Sequence, residues 1–266
     1  TFRFLGMEKI LVIGYGKEGK ATKKYLKKYH PKIKVGIADE QQGKEYLEKQ
    51  SRYDIAIKTP GIKKELVIIP YTTATNIFFS HLKGKNTIIG VTGSKGKSTT
   101  ASLIFHILKK AGKRVELLGN IGKPMLERLL KPASQDTIFV LELSSYQLDD
   151  MAFSPDIAVV TSLFPEHMDF HGNLETYYQA KKNIITTADF FVHNPQNLIM
   201  RQWLKEYSGN AVPFSAKKYE SSLLGSHNES NITAAAAVAE ILKIPDIKIK
   251  EAVAIFKGLP HRLERA

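Results

Sequence analysis

The sequence predicts an α/β protein of two modules in series, a small βαβαβ unit followed by a larger, mostly parallel sheet. Three observations carry that prediction. Short apolar runs of strand length alternate with helical stretches, a glycine-rich loop separates strand from helix at Gly14 to Gly19, and a second does so at Gly90 to Thr99. A helix that starts at the carboxyl end of a parallel strand offers backbone N–H groups and a partial positive charge, a setting suited to phosphate.

Taken in order, a strand over 10–13 leads into Gly14-Tyr15-Gly16-Lys17-Glu18-Gly19, a helix over 20–29, a strand over 34–38 followed by Asp39, a helix over 43–49 and a strand over 55–58. The glycine spacing matches G-x-G-x-x-G with an acidic residue after the next strand, so a dinucleotide fold is the default reading, though any diphosphate would fit those glycines equally well. Thr59-Pro60-Gly61 then marks a tight turn at the same edge of the sheet. The charged, glycine-containing stretch 83–86 closes a first module over residues 7–85, too short for six strands, and a second is expected over 86–260. Its strands are expected at 87–91, 115–118, 138–143, 157–161 and 190–192, with helices between them, and residues 261–266 read as the start of a linker.

With 43% apolar and 24% charged residues the composition is that of a soluble protein, and a net charge of +13 favours anionic partners. The lysines are spread over helix faces, as in Lys23, Lys24, Lys27 and Lys28, which reads as solvation, and no nucleic-acid partner is expected. The lack of cysteine excludes disulfides, thiolate catalysis and cysteine-ligated zinc. No apolar run reaches membrane-spanning length and Glu8 and Lys9 interrupt the first apolar segment, so a cytoplasmic protein without a membrane partner is expected. Met7 followed by Glu8, Lys9 and a strand reads as a natural start, with residues 1–6 an appended remnant.

The chemistry concentrates around Gly90-Val91-Thr92-Gly93-Ser94-Lys95-Gly96-Lys97-Ser98-Thr99. Its GKST ending places a lysine to reach β- and γ-phosphates and a hydroxyl to meet Mg²⁺, while the glycines let the backbone fold around phosphate oxygens. The usual first glycine falls at Val91, so a variant cradle is expected. In Leu141-Glu142-Leu143-Ser144-Ser145-Tyr146-Gln147-Leu148 a carboxylate sits near the end of an apolar strand, a costly position unless paired or on a metal. Opposite a phosphate loop, Glu142 is a candidate Mg²⁺ ligand. Phe164-Pro165-Glu166-His167-Met168-Asp169-Phe170-His171-Gly172 forms a second polar cluster after a strand, with His167 a candidate functional residue. On the next helix an apolar stripe of Leu174, Tyr177 or Tyr178, Ile184 or Ile185 and Ala188 includes Lys181. A buried lysine either pairs with a carboxylate or loses its proton, and a neutral amine can take up CO₂ as a carbamate able to bind metal; the residues leave both open.

Together GVTGSKGKST, LGNIGKP at 118–124, LELSSYQL, PEHMDFHG, YYQAK ending at Lys181, HNESN at 227–231 and GLPHRLE at 258–264 resemble the Mur ligases of peptidoglycan synthesis, over residues 8–264. Within that family ELSSYQL is similar to the members that add D-glutamate. The resemblance implies a small Rossmann-like domain holding UDP and a P-loop central domain holding ATP, with ATP-dependent amide formation on UDP-N-acetylmuramoyl-L-alanine through an acyl phosphate, in a monomer. It implies an ATP site of Gly93, Ser94, Lys95, Gly96, Lys97, Ser98 and Thr99, with Asn228 and Asn231 toward adenine and His261 and Arg262 near the ribose. Catalytic roles fall to Lys97, His167 and Lys181. Two Mg²⁺ ions are implied, held by Ser98, Glu142, His167 and a carbamoylated Lys181. Gly14, Tyr15, Gly16, Gly19, Asp39, Thr59, Pro60, Gly61, Asn120 and Ser144 are implied on the UDP-substrate side. Family members have a third domain that binds the amino acid, and the chain ends where that domain would begin, so the D-glutamate pocket is expected to be absent and the chain inactive alone. Three rival readings remain: a sister ligase, folylpolyglutamate synthase included; a non-catalytic nucleotide-binding module; and an NAD-dependent dehydrogenase, which leaves the second loop unexplained.

Overall fold

Two all-parallel sheets follow one another along the chain, whose computed structural model describes residues 4–258. The first, ordered β2-β1-β3-β4, comprises β1 (Lys9–Ile13), β2 (Lys34–Ala38), β3 (Ile55–Lys58) and β4 (Tyr71–Thr73), with α1 (Lys17–Tyr29) after β1 and α2 (Ala74–Leu82) after β4. The second, ordered β10-β9-β8-β5-β7-β6, comprises β5 (Ile88–Thr92), β6 (Val115–Gly119), β7 (Ile138–Glu142), β8 (Ile157–Val160), β9 (Phe190–His193) and β10 (Asn210–Pro213). Between and after its strands run α3 (Lys97–Lys110), α4 (Met125–Arg128), α5 (Ser145–Leu148), α6 (Met168–His171), α7 (Leu174–Lys182), α8 (Leu198–Trp203), α9 (Ser226–Ile241) and α10 (Asp246–Ala254). Central parallel strands are covered on both faces, which is why β5 and β7 read as unbroken buried runs rather than alternating ones. Among the described residues no helix is long and apolar enough to cross a membrane.

One core spans both sheets. It runs from Ile10 and Val12 through Ile77, Phe78 and Phe79 of α2 to Phe139 and Leu141 of β7. Phe78 meets Phe139 edge-on at 5.5 Å between ring centres. Ile77, Phe78, Phe79 and Leu82 of α2 are buried, the first three completely, because the helix packs into this shared core. Phe78→Ala is therefore expected to destabilise the fold by about 3–5 kcal/mol, read as a lowered midpoint in urea unfolding. An unchanged midpoint would mean that the shared core is not what joins the sheets. On the far side of the second sheet, the run Ala234 to Ala237 lets α9 pack against α3.

Three expectations are corrected. Residues 43–49 form no α-helix; residues 44–47 are turn, between 3₁₀ segments at Glu40–Gln42 and Glu48–Arg52. Its two apolar residues, Tyr46 and Leu47, are adjacent and cannot make a helical stripe, and Gly43 at φ 103° ends the first 3₁₀ segment. The stripe after 174 is split between α7 and a 3₁₀ turn at Asn183–Ile185, and Leu174, 40% exposed, lies outside it. Strands β4 and β10 fall outside the expected set. Both are edge strands, short and poor in apolar residues, and β10 ends in Pro213, a residue that edge strands tolerate.

Candidate functional site

The second glycine loop leaves the centre of its sheet. Register pairs Val91 with Glu142 on β7 and Thr92 with Val160 on β8, so three strand ends deliver the loop, Glu142 and Thr161 to one place. The loop is pinned from the β8 side: Thr161 Oγ1 donates to the Lys95 carbonyl at 2.6 Å, Lys95 N–H donates to Ser162 Oγ at 2.9 Å, and Ser94 N–H donates to the Ser162 carbonyl at 2.7 Å. Ser94 Oγ donates to the Phe164 carbonyl at 2.8 Å and lies 3.0 Å from Tyr177 Oη. Gly96 adopts φ 88° at the start of α3, where a Cβ would stand 2.3 Å from Asn231 Oδ1. Any other residue there would strain the left-handed backbone and push the Asn231 amide aside. Lys97 Nζ donates to the carbonyls of Gly93 at 3.0 Å and Ser94 at 2.8 Å, so its ammonium already lies over the loop.

Glu142 is 1% exposed. Asn120 donates its side-chain amide to Oε1 at 3.0 Å and its backbone N–H to the Glu142 carbonyl at 3.0 Å, while Oε2 is buried with no hydrogen-bond partner. An orphaned carboxylate oxygen beside a phosphate loop is what a cation site requires. Among the described residues no three His, Cys, Asp or Glu side chains converge to hold a metal by themselves. The donor set therefore suits Mg²⁺, which takes one or two protein oxygens and completes its shell with phosphate and water. Glu142 and the buried Ser98 fit that ion.

Lys181 is 1% exposed, and its Nζ donates to the Gly93 carbonyl at 2.8 Å and sits 4.8 Å from the Tyr177 ring centre. Burial first, then the nearby Lys97 charge, pushes its ammonium down to about 7, against an opposing pull from Glu166. Its hydrogen-bond partner is a carbonyl, not a carboxylate. His167 adopts φ 56° at the start of α6, a left-handed backbone uncommon outside glycine, and its ring lies 6.4 Å from that of Tyr177. Tyr177 thus has His167 and Lys181 around one ring.

A cleft of 790 Å³ opens over the loop, lined by Ser94 to Thr99, Asn120, Glu142, Thr161, Ser162, Asn194, His227, Asn228 and Asn231 among others; His167 and Lys181 do not line it. Asn228 and Asn231 are tied into the frame: Thr100 Oγ1 donates to Asn231 Oδ1 at 3.2 Å, Asn231 Nδ2 to Asn228 Oδ1 at 3.1 Å, and Asn228 Nδ2 to the Leu224 carbonyl at 2.8 Å. Each amide keeps bonding capacity for a ligand in the cleft. His261 and Arg262 lie outside the described residues. Thr161, Ser162, Asn194 and His227 were not among the expected site residues; the position of Thr161 and Ser162 just past a central strand is the signal that points to them.

In the first sheet Gly14, at φ 86°, sits where a Cβ would meet Thr59 Oγ1 at 2.0 Å, whereas Gly16 faces open space. Thr59 Oγ1 donates to the Ile13 carbonyl at 3.0 Å, and Pro60 and Gly61 continue the turn beside the loop. Asp39 faces inward: its Oδ2 accepts the Tyr15 N–H at 2.5 Å, and its Oδ1 accepts that of Gln41 at 3.2 Å. Ser144 Oγ caps α5 by accepting the Gln147 N–H at 3.3 Å, close behind Glu142 in the chain. The segment from Ser144 to Asp150 then reaches the first module, where Lys58 and Tyr71 contact Asp150 and Lys64 contacts Asp149.

A phosphate loop opposite a buried, half-satisfied carboxylate defines a nucleotide-binding α/β protein of the kind that works on ATP with Mg²⁺. Similarity to known proteins narrows this. Residues 91–219 match the Mur ligase middle domain. A UDP-N-acetylmuramoylalanine--D-glutamate ligase of Streptococcus thermophilus is 32% identical over 97% of this chain and 68% of its own length, and one of Streptococcus pneumoniae is 31% identical with the same coverage. Among solved structures, a UDP-N-acetylmuramate:L-alanyl-gamma-D-glutamyl-meso-diaminopimelate ligase from Neisseria meningitides aligns with a TM-score of 0.66 at 18% identity, over 96% of this chain and all of that one. The UDP-N-acetylmuramate-alanine ligase MurC of Thermotoga maritima aligns with a TM-score of 0.61 at 20% identity, over 98% of this chain and 71% of that one. At those identities the structures speak for the fold. The chain belongs to the Mur ligase family, and it is an ATP-dependent ligase of peptidoglycan-precursor synthesis.

Proposed function

We propose that the chain serves the addition of D-glutamate to UDP-N-acetylmuramoyl-L-alanine, holding the UDP-sugar on a first module of residues 7–85 and Mg²⁺-ATP on a second of residues 86–260. The observation that supports this best is that Lys97 of the phosphate loop and Glu142, with its orphaned carboxylate oxygen, line the same cleft. In the first step the substrate carboxylate attacks the γ-phosphorus of ATP, the bond to the β,γ-bridging oxygen breaks, and an acyl phosphate and ADP result. The amine of glutamate then attacks the acyl carbon, and loss of phosphate and a proton from the tetrahedral intermediate leaves the amide. Lys97 follows the charge on the transferring group, and Asn120 keeps Glu142 oriented. Ser98 and Glu142 would hold Mg²⁺, which when bound would supply charge neutralisation for the reacting anions. His167 and a carbamoylated Lys181 fit a second ion, the carbamate providing the anion that the bare side chains lack.

UDP-N-acetylmuramoyl-L-alanine is expected to raise the melting temperature, because a ligand bound only by the folded state stabilises it by mass action; at 100 times its dissociation constant the gain is about 2.7 kcal/mol. A thermal-shift assay with NADH in parallel checks this. A larger shift with NADH returns the Gly14 to Gly19 loop to the dehydrogenase reading.

A further inference from the structure

Lys58 closes β3 with its side chain buried, and a buried lysine needs a counter-charge. That charge comes from the other module. Asp150 Oδ2 lies 2.6 Å from Lys58 Nζ, with the two side chains 4% and 1% exposed, and Lys58 also donates to the Ile62 carbonyl at 2.8 Å. One ammonium therefore ties the turn after its own strand to the second module. The turn reaches the first glycine loop in its turn, since Ile62 N–H donates to the Thr59 carbonyl at 3.1 Å and Thr59 Oγ1 occupies the place a Cβ on Gly14 would need. Other contacts run along the same seam. Asp150 Oδ1 accepts from Tyr71 Oη at 2.8 Å, Lys64 Nζ lies 3.1 Å from Asp149 Oδ1, and Lys63 Nζ donates to the Asp169 carbonyl at 3.1 Å. Asn76 pairs with backbone as a neighbouring strand would: its Nδ2 donates to the Asp150 carbonyl at 2.8 Å, and its Oδ1 accepts the Ala152 N–H at 2.8 Å.

We propose that Asp150, on the ATP-binding module, is a positioning residue for the UDP-sugar: through Lys58 it sets the turn of residues 59–62 against the first glycine loop. The proposal rests on the reading of that loop and turn as the seat of uridine diphosphate. Stability alone is a poor reason for the pair, because removing two charges from water is costly and apolar residues of similar volume often hold a fold as well. What the pair adds is a fixed place for the turn. A site that has its binding shape only while the seam is closed shows an affinity scaled by the fraction of molecules with the seam closed. Linkage makes the effect reciprocal, so uridine diphosphate held by the turn also holds the seam shut. The phosphate loop is pinned from the β8 side instead, by Thr161 and Ser162, which makes Mg²⁺-ADP binding an internal reference.

Calorimetric titration of uridine diphosphate and of Mg²⁺-ADP into the wild-type chain and into the double variant Lys58→Met, Asp150→Asn tests this. The double variant removes both charges together, keeps an acceptor for Tyr71 and keeps the bulk of the lysine stem, so no charge is left buried alone. It is expected to lose affinity for uridine diphosphate by a factor at least ten times larger than its loss for Mg²⁺-ADP. A smaller ratio overturns the proposal and makes the pair a scaffold only. Hydrogen–deuterium exchange of wild type reads the reciprocal effect, because the Ala152 N–H is bonded across the seam. Saturating uridine diphosphate is expected to slow exchange in residues 149–153 at least threefold and to leave peptides of α10 unchanged. Less slowing, or equal slowing in α10, overturns the proposal, and this comparison decides alone if circular dichroism shows the double variant unfolded. Failure of uridine diphosphate to bind wild type refutes the reading of the first loop and the proposal with it, whereas equal binding by wild type and the double variant refutes the proposal alone.

Discussion

Lys97→Ala is expected to weaken Mg²⁺-ATP binding roughly 30- to 4,000-fold, the equivalent of about 2–5 kcal/mol for removing one member of a close charge pair. The side chain bends over Gly93 and Ser94 and needs little rearrangement to meet phosphate oxygens in the cleft. Binding should be lost while the fold persists, since Lys97 contributes no core packing. Titration calorimetry checks the first and circular dichroism the second. Wild-type affinity in this variant would remove the basis for assigning the phosphate loop.

The second large effect is expected at Lys181. In a full-length protein that carries the amino-acid-binding third domain, Lys181→Ala should reduce ligase activity roughly 100-fold or more, the scale seen when one charge-stabilising group is removed from an active site, and short carboxylates such as acetate should restore part of it. The reason is charge. An ammonium is a poor neighbour for Mg²⁺, whereas an amine that loses its proton near pH 7 can take up CO₂. Only the neutral amine reacts, so the response of wild type to bicarbonate should grow as pH rises through about 7 and fade below it. Steady-state assays with and without bicarbonate read both effects. Full activity of Lys181→Ala in bicarbonate-free buffer would contradict the carbamate.

The parts of the fold legible in the sequence are those where burial is total. Ile10 to Ile13 and Ile55 to Ile57 lie in parallel strands covered on both faces, and a short unbroken apolar run between polar turns suits that environment better than a half-exposed one. Edge strands β4 and β10 are set by pairing with a neighbour rather than by composition, so their residues carry little signal. The burial of Lys181 is readable from its spacing to Tyr178 and Ile185, although Leu174, at the same stripe's start, is exposed. Contacts that depend on register between distant strands are not readable in this way. Asn120 reaches Glu142 because β6 and β7 pair Gly119 with Glu142, and Asp39 turns inward because the Tyr15 N–H lies in its path.

The central claim is that two glycine loops hold two different ligands at once, the UDP-sugar on the first and Mg²⁺-ATP on the second. Sequential titration calorimetry tests it most directly, with Mg²⁺-ATP added to the chain first and UDP-N-acetylmuramoyl-L-alanine added to the saturated sample. The expected result is one site for each ligand, both filled together, with the ATP site weakened by EDTA and by Lys97→Ala and the UDP site still present in both conditions. Competition between the two ligands for a single site would contradict the account.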